Sequence, residues 1–200
     1  MRSIMKQEYR LSNITKDYLS EFDCILQKMI RDMTEVCLSD SISYNFMIQM
    51  IPHHLAAIEM SRNLLKYSRF APLRNIAENI IIEQTESIRN MKRSLCSCKE
   101  MCNSDQALRV YQDEADDIMH IMFHDMKHAR TVNNINADFM YEMIPHHKGA
   151  IRLSENALQY NLCPGLIPIL QAIIRSQKKG VAKMTRLLKS PCFQSSNILK

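Results

Sequence analysis

Residues 46–61 read FMIQMIPHHLAAIEMS and residues 139–154 read FMYEMIPHHKGAIRLS, in a constant register of 93 positions. Met47, Met50, Ile51, Pro52, His53, His54, Ala57 and Ile58 map without a gap onto Met140, Met143, Ile144, Pro145, His146, His147, Ala150 and Ile151. The register carries outward. Upstream, Tyr18, Asp23, Ile25, Met29, Asp32 and Met33 fall on Tyr111, Asp116, Ile118, Met122, Asp125 and Met126. Downstream, Ile80, Gln84, Met91 and Leu95 fall on Ile173, Gln177, Met184 and Leu188. A match sustained this far reads as a duplicated unit, residues 1–100 and 101–200, each of three segments.

The segments read as helices. In the first, Tyr18, Phe22, Ile25, Leu26, Met29, Ile30, Met33 and Val36 follow the three-four spacing of an amphipathic helix. The second is expected to begin after Ser43 or Asn136, both good capping types, and to run to about Tyr67 and Asn161. The third opens near Pro72 or Pro164, where proline suits a helix start, and closes near Leu95 and Leu188, leaving Cys96 to Asp105 as linker. With three glycines and no alternating β-branched stretch, the expected fold is all-α: a six-helix antiparallel bundle. One shared core with pseudo-twofold symmetry and two separate three-helix bundles are the open arrangements.

Helical steps of about 100° place Phe46, Met50, Ala57, Ser61 and Leu64 on one face, with His53 and His54 flanking its centre. The second copy repeats this with Phe139, Met143, Ala150, Ser154 and Leu158 around His146 and His147. All four imidazoles are therefore expected to look inward. Pro52 and Pro145 sit inside their helices, each removing an N–H and crowding the carbonyl of Ile48 or Tyr141. On the third helix Gln84 lies mid-stripe among Leu73, Ala77, Ile80, Ile81, Ile88, Met91 and Leu95, and Gln177 takes the matching place. A buried amide needs a partner, and the facing histidines are the expected ones.

Two readings of this polar core stay open. It can be a self-satisfied network that fixes helix register, or a metal site, since imidazole is a common ligand and Met29, Met33, Met50, Met60 and Met91 line the same core. Fifteen methionines with no tryptophan is unusual, although methionine at helical spacing also serves as core filler. The remaining histidines, His120, His124 and His128, form a ladder opposite the stripe of Ile118, Met119, Met122 and Met126. That ladder reads as a solvated ridge, with a surface metal as its weaker alternative. Cys96, Cys98 and Cys102, with Cys192 near the matching end of the second copy, offer a weaker soft-metal clamp of no standard zinc spacing.

Composition narrows the partners. The 26 basic and 21 acidic residues interleave, so a net charge of +5 points to solubility and to no nucleic acid or membrane partner. The opening MRSIMKQEYRLSNITKDYL has no apolar run long enough for a signal peptide, and no segment could span a bilayer. Seven cysteines, an odd number, suit a reducing compartment, so a cytoplasmic protein is expected, with a homo-oligomer open.

The two motif segments, each with a glutamine 31 residues after its first histidine and then Met91 or Met184, resemble domain-of-unknown-function family 305. The resemblance covers both copies and implies a ferritin-like bundle. Some exported members bind copper through His and Met, which makes His53, His54, His146 and His147 candidate ligands, Met50, Met143, Met91 and Met184 softer ones, and Gln84 and Gln177 their supports. The chain departs from the family pattern at Ser87 and Gly180, where relatives carry glutamate. It departs again at Ser94 and Leu187 in place of tryptophan, and at Ser43 and Asn136 in place of aspartate.

A di-iron oxidase would need inward glutamates and Glu-x-x-His pairs, which the sequence does not display, and no catalytic set is legible. The leading expectation is a non-enzymatic protein holding Cu(I). A structural or interaction module with a polar core is the alternative.

Overall fold

Serine and asparagine side chains set where four of the helices begin. Ser12 Oγ accepts from the Thr15 N–H, Ser41 Oγ from the Tyr44 N–H, Ser104 Oγ from the Ala107 N–H, and Asn134 Oδ1 from the N–H groups of Asn136 and Ala137. In the computed structural model, which describes residues 11–191 and 193, six helices follow: α1 (Asn13–Thr34), α2 (Ile42–Tyr67), α3 (Ala71–Lys99), α4 (Asp105–Lys127), α5 (Ile135–Ala157) and α6 (Leu166–Lys189). There is no strand among the described residues, and none of their helices is long and apolar enough to cross a membrane. The protein is all-α.

Several boundaries differ from expectation, each for a visible reason. The caps of α2 and α5 are Ser41 and Asn134, two residues ahead of Ser43 and Asn136. Ser43 is occupied elsewhere, its hydroxyl accepting the Cys163 N–H at 2.9 Å. Helix α5 stops at Ala157 because Gln159 and Tyr160 donate back only three residues, to Asn156 and Ala157, which tightens the chain out of the α-helix. Helix α3 continues through Lys99, so Cys96 and Cys98 are helical and the connection to α4 is residues 100–104.

Helix α2 packs on α1 and α3, α5 packs on α4 and α6, and contacts of α2 with α5 and of α3 with α6 join the two halves. The buried apolar side chains make one cluster that includes Phe46, Met50 and Met91 as well as Phe139, Met143 and Met184. Several contacts recur 93 positions on. Asn63 Nδ2 donates to the Tyr18 carbonyl and Asn156 Nδ2 to the Tyr111 carbonyl. Tyr18 meets Tyr67 edge-on as Tyr111 meets Tyr160, and the Ser39 N–H reaches Asn45 Oδ1 as the Val132 N–H reaches Asp138 Oδ1. These bonds anchor the outer helices and the loops ahead of α2 and α5, leaving the motif residues at the middle of the molecule.

Candidate functional site

Helices α2 and α5 run unbroken through Pro52 and Pro145 and carry the histidine pairs into the core. His53 and His146 are 0% exposed, His54 1% and His147 2%, so all four imidazoles are out of solvent. His53 and His146 stack across the α2–α5 contact with ring centroids 3.7 Å apart, whereas His53–His54 and His146–His147 sit 5.8 and 5.9 Å apart and tilted. Their other hydrogen bonds are few. His146 Nε2 donates to the His53 carbonyl at 3.2 Å, and His54 Nε2 pairs with the Ser87 hydroxyl of α3 at 3.0 Å.

Because Nε2 of His146 carries the proton it donates, its Nδ1 is left as a lone pair in the neutral ring. That atom has no hydrogen-bond partner, and neither do both nitrogens of His53, Nδ1 of His54 and Nδ1 of His147. Burial keeps all four rings neutral by penalising the charged form. It holds His53 and His146 well below the ordinary histidine value, His54 at about 3 and His147 at about 4. Neighbouring histidines reinforce the shift at His53, His54 and His146, while nearby backbone carbonyls oppose it, that of His146 at His53, that of His53 at His146 and that of Met143 at His147; at His53 and His147 these carbonyls lie outside hydrogen-bonding geometry. Neutral imidazoles with free lone pairs are what a metal ion or a strong donor would seek.

In the same core, Met50 is 1% exposed and Met143, Met91 and Met184 are 0% exposed, and Gln84 and Gln177 are buried on α3 and α6. The glutamines do not partner the histidines as expected. Oε1 of Gln84 and of Gln177 has no partner, and His54 takes its bond from Ser87, one helical turn further along α3. Among the described residues no group of three or more His, Cys, Asp or Glu side chains is placed to hold a metal ion. Face-to-face stacking of His53 on His146 spreads the four rings instead of closing them around one point.

The weaker candidates fall away from this core. His120, His124 and His128 are exposed on α4, where His128 Nδ1 bonds the His124 carbonyl. The cysteine clamp is not assembled: Cys98 is buried and disulfide-bonded to Cys163, while Cys96 and Cys102 are exposed thiols. Residues two apart on a helix point in nearly opposite directions, so Cys98 turns into the core and Cys96 out of it. The disulfide departs from the expectation that the cysteines suit a reducing compartment. Cys192 lies outside the described residues.

Sequence reasoning missed a second buried polar centre. The Tyr18 hydroxyl of α1 donates to Glu142 Oε2 of α5 at 2.6 Å, with Asp138 one turn before it. Glu142 is 4% exposed and Asp138 0%, and burial, reinforced by their mutual repulsion at Glu142, raises both carboxyls above their ordinary values. The signal was present, because Glu142 stands four residues before His146 and shares its helix face.

Residues 43–188 match the family described as domain of unknown function (DUF305). No curated protein and no solved structure matches the chain.

Proposed function

The chain belongs to domain-of-unknown-function family 305, and from that premise and the geometry of its core we propose that it binds a soft metal ion, Cu(I), through the buried histidine pairs. One observation carries this reading: five ring nitrogens of His53, His54, His146 and His147 are buried without a hydrogen-bond partner. Such orphans cost roughly 1–3 kcal/mol each, and a protein retains them where something else satisfies them.

The donor set fits the ion. Neutral imidazoles and the buried thioethers of Met50, Met143, Met91 and Met184 favour a soft monovalent cation over a hard divalent one. A buried carboxylate on the same helix as His146, Glu142, is already engaged by Tyr18. His53, His54, His146 and His147 would hold the ion, the methionines would complete its surroundings, and the Ser87 hydroxyl would orient the His54 ring. Bound there, the ion would be shielded from water and oxidant, which is sequestration and requires no catalytic group.

A structural polar core is the competing reading, and the His53–His146 stack with no three-ligand group beside it favours that alternative. Competition with a Cu(I) chelator under anaerobic conditions decides between them. The protein carries no histidine tag and has Cys24, Cys37, Cys96 and Cys102 each changed to serine to silence the exposed thiols. Binding by this protein that disappears when all four motif histidines become leucine supports the metal. Unchanged affinity in that variant, still helical by circular dichroism, leaves only the structural role.

A further inference from the structure

Two positions 93 residues apart, Ser87 on α3 and Gly180 on α6, stand against the outer histidine of each pair. Ser87 closes its side: the hydroxyl is 3.0 Å from His54 Nε2, and the same serine lines a groove of about 500 Å³ on the α3–α6 face. Gly180 offers no such hydroxyl, and the His147 ring fills the space that a side chain would take. A Cβ at that position would lie 2.7 Å from His147 Cδ2 and 2.9 Å from Nε2, so no larger residue could stand there without displacing the ring. His147 lines a narrow surface pocket of about 20 Å³ beside Gly180. That is room for a single water or a bare ion and for nothing larger.

We infer that the narrow pocket beside Gly180 is the access window to the histidine core and that His147 is the first imidazole an incoming ligand meets. The window selects by size. Its exposed rim sets Glu83 against Lys179 and Lys183, one net positive charge, so it offers no electrostatic attraction to a bare cation. A small, weakly hydrated ion passes by ligand exchange: its carrier's donor atom leaves with its electron pair as the ring nitrogen bonds, and the oxidation state does not change. From His147 the path leads to His146, 5.9 Å away, and so to His53 stacked on it. His54 lies behind the Ser87 hydroxyl and is reached last.

The identity of the ligand rests on the Cu(I) reading, but the window does not, and the test separates them. Metal-free protein is exposed at neutral pH to a brief pulse of hydroxyl radicals, a probe of water size, and oxidation is followed by peptide mass spectrometry with fragmentation to distinguish adjacent histidines. His147 is expected to react about tenfold faster than His54, because a sealed ring reacts only when the structure opens. Ser176→Leu, which fills the pocket from its wall, should slow His147 to the rate of His54, and Ser87→Gly should raise His54 toward that of His147. Equal rates in the unaltered protein overturn the window, as does a ratio that neither substitution changes. If Ser176→Leu fails to fold, the unaltered protein and Ser87→Gly decide alone. An asymmetric reaction in a protein that takes up no Cu(I) would sink the metal and leave the window. Cu(I) binding with symmetric reactivity would do the reverse.

Discussion

The imidazole of His53 lies face to face with that of His146, with ring planes 29° apart, yet neither nitrogen of His53 has a hydrogen-bond partner. Stacking gives the pair apolar contact, and the missing partners make His53 a costly residue for a purely structural core. His53→Leu in metal-free protein should therefore be neutral or stabilising. His53→Ala, which also opens a cavity, should cost about 2–4 kcal/mol. Urea unfolding of both variants checks this. A loss in His53→Leu as large as in His53→Ala would show that the ring is satisfied by bound water and is not an orphan.

Tyr18 and Glu142 give the opposite case, a buried polar pair whose partners are present. Tyr18→Phe leaves Glu142 without its donor and should cost about 1–3 kcal/mol, whereas Glu142→Gln keeps an acceptor for the hydroxyl and should cost less. Glutamine is already buried at the matching position, Gln49. A double-mutant cycle measured by denaturant unfolding should show positive coupling between the two residues. Additive losses would mean that the 2.6 Å contact contributes nothing.

Much of this core was legible because burial follows a period. The stripe through Phe46, Met50, Ala57 and Leu64 turns His53 and His54 inward, and both are buried. What the period could not supply was partnership. Gln84 shares an apolar face with Ile80 and Ile88, but whether its amide or the Ser87 hydroxyl reaches His54 turns on the rotation of α3 against α2, which no single-helix wheel contains. The Cys98–Cys163 pairing was hidden for the same reason, since it joins the end of α3 to the loop before α6 across 65 residues. Glu142 was overlooked through its charge, although its position placed it inside. Ser87 and Gly180 were visible only as departures from a family pattern, and their bearing on His54 and His147 appears only when α3 and α6 are packed.

The Cys98–Cys163 bond ties those two distant segments with a Cα–Cα separation of 5.2 Å. Closing a 65-residue separation should contribute about 4 kcal/mol by restricting the unfolded chain. Non-reducing peptide mapping should recover a Cys98–Cys163 cross-linked peptide, and Cys98→Ser with Cys163→Ser should lower the denaturant midpoint. Recovery of both cysteines as alkylated thiols from oxidised protein would contradict the bond.

Acid should destabilise the fold through the histidine core. The buried rings ionise well below their ordinary value of 6.5, His54 at about 3 and His147 at about 4. Between those values and 6.5 the unfolded chain binds protons that the folded chain refuses, so stability is full above pH 6.5 and is lost as pH falls below it. At pH 5.5 each of these two histidines should cost about 1.4 kcal/mol relative to neutral pH, with His53 and His146 adding in the same direction. Glu142 acts in the other sense. Its raised value means that the folded state holds a proton above pH 4.5, which favours the fold as pH falls toward that value and partly offsets the histidines. The offset is present whether or not the rings are, so a paired comparison isolates them. Unfolding free energies at pH 7.5 and 5.5 should fall more steeply in the unaltered protein than in His54→Leu with His147→Leu, by roughly 2–3 kcal/mol. Equal losses in the two proteins would mean that the outer rings accept protons inside the fold. The neutral lone pairs on which the metal reading rests would then be absent at mildly acid pH.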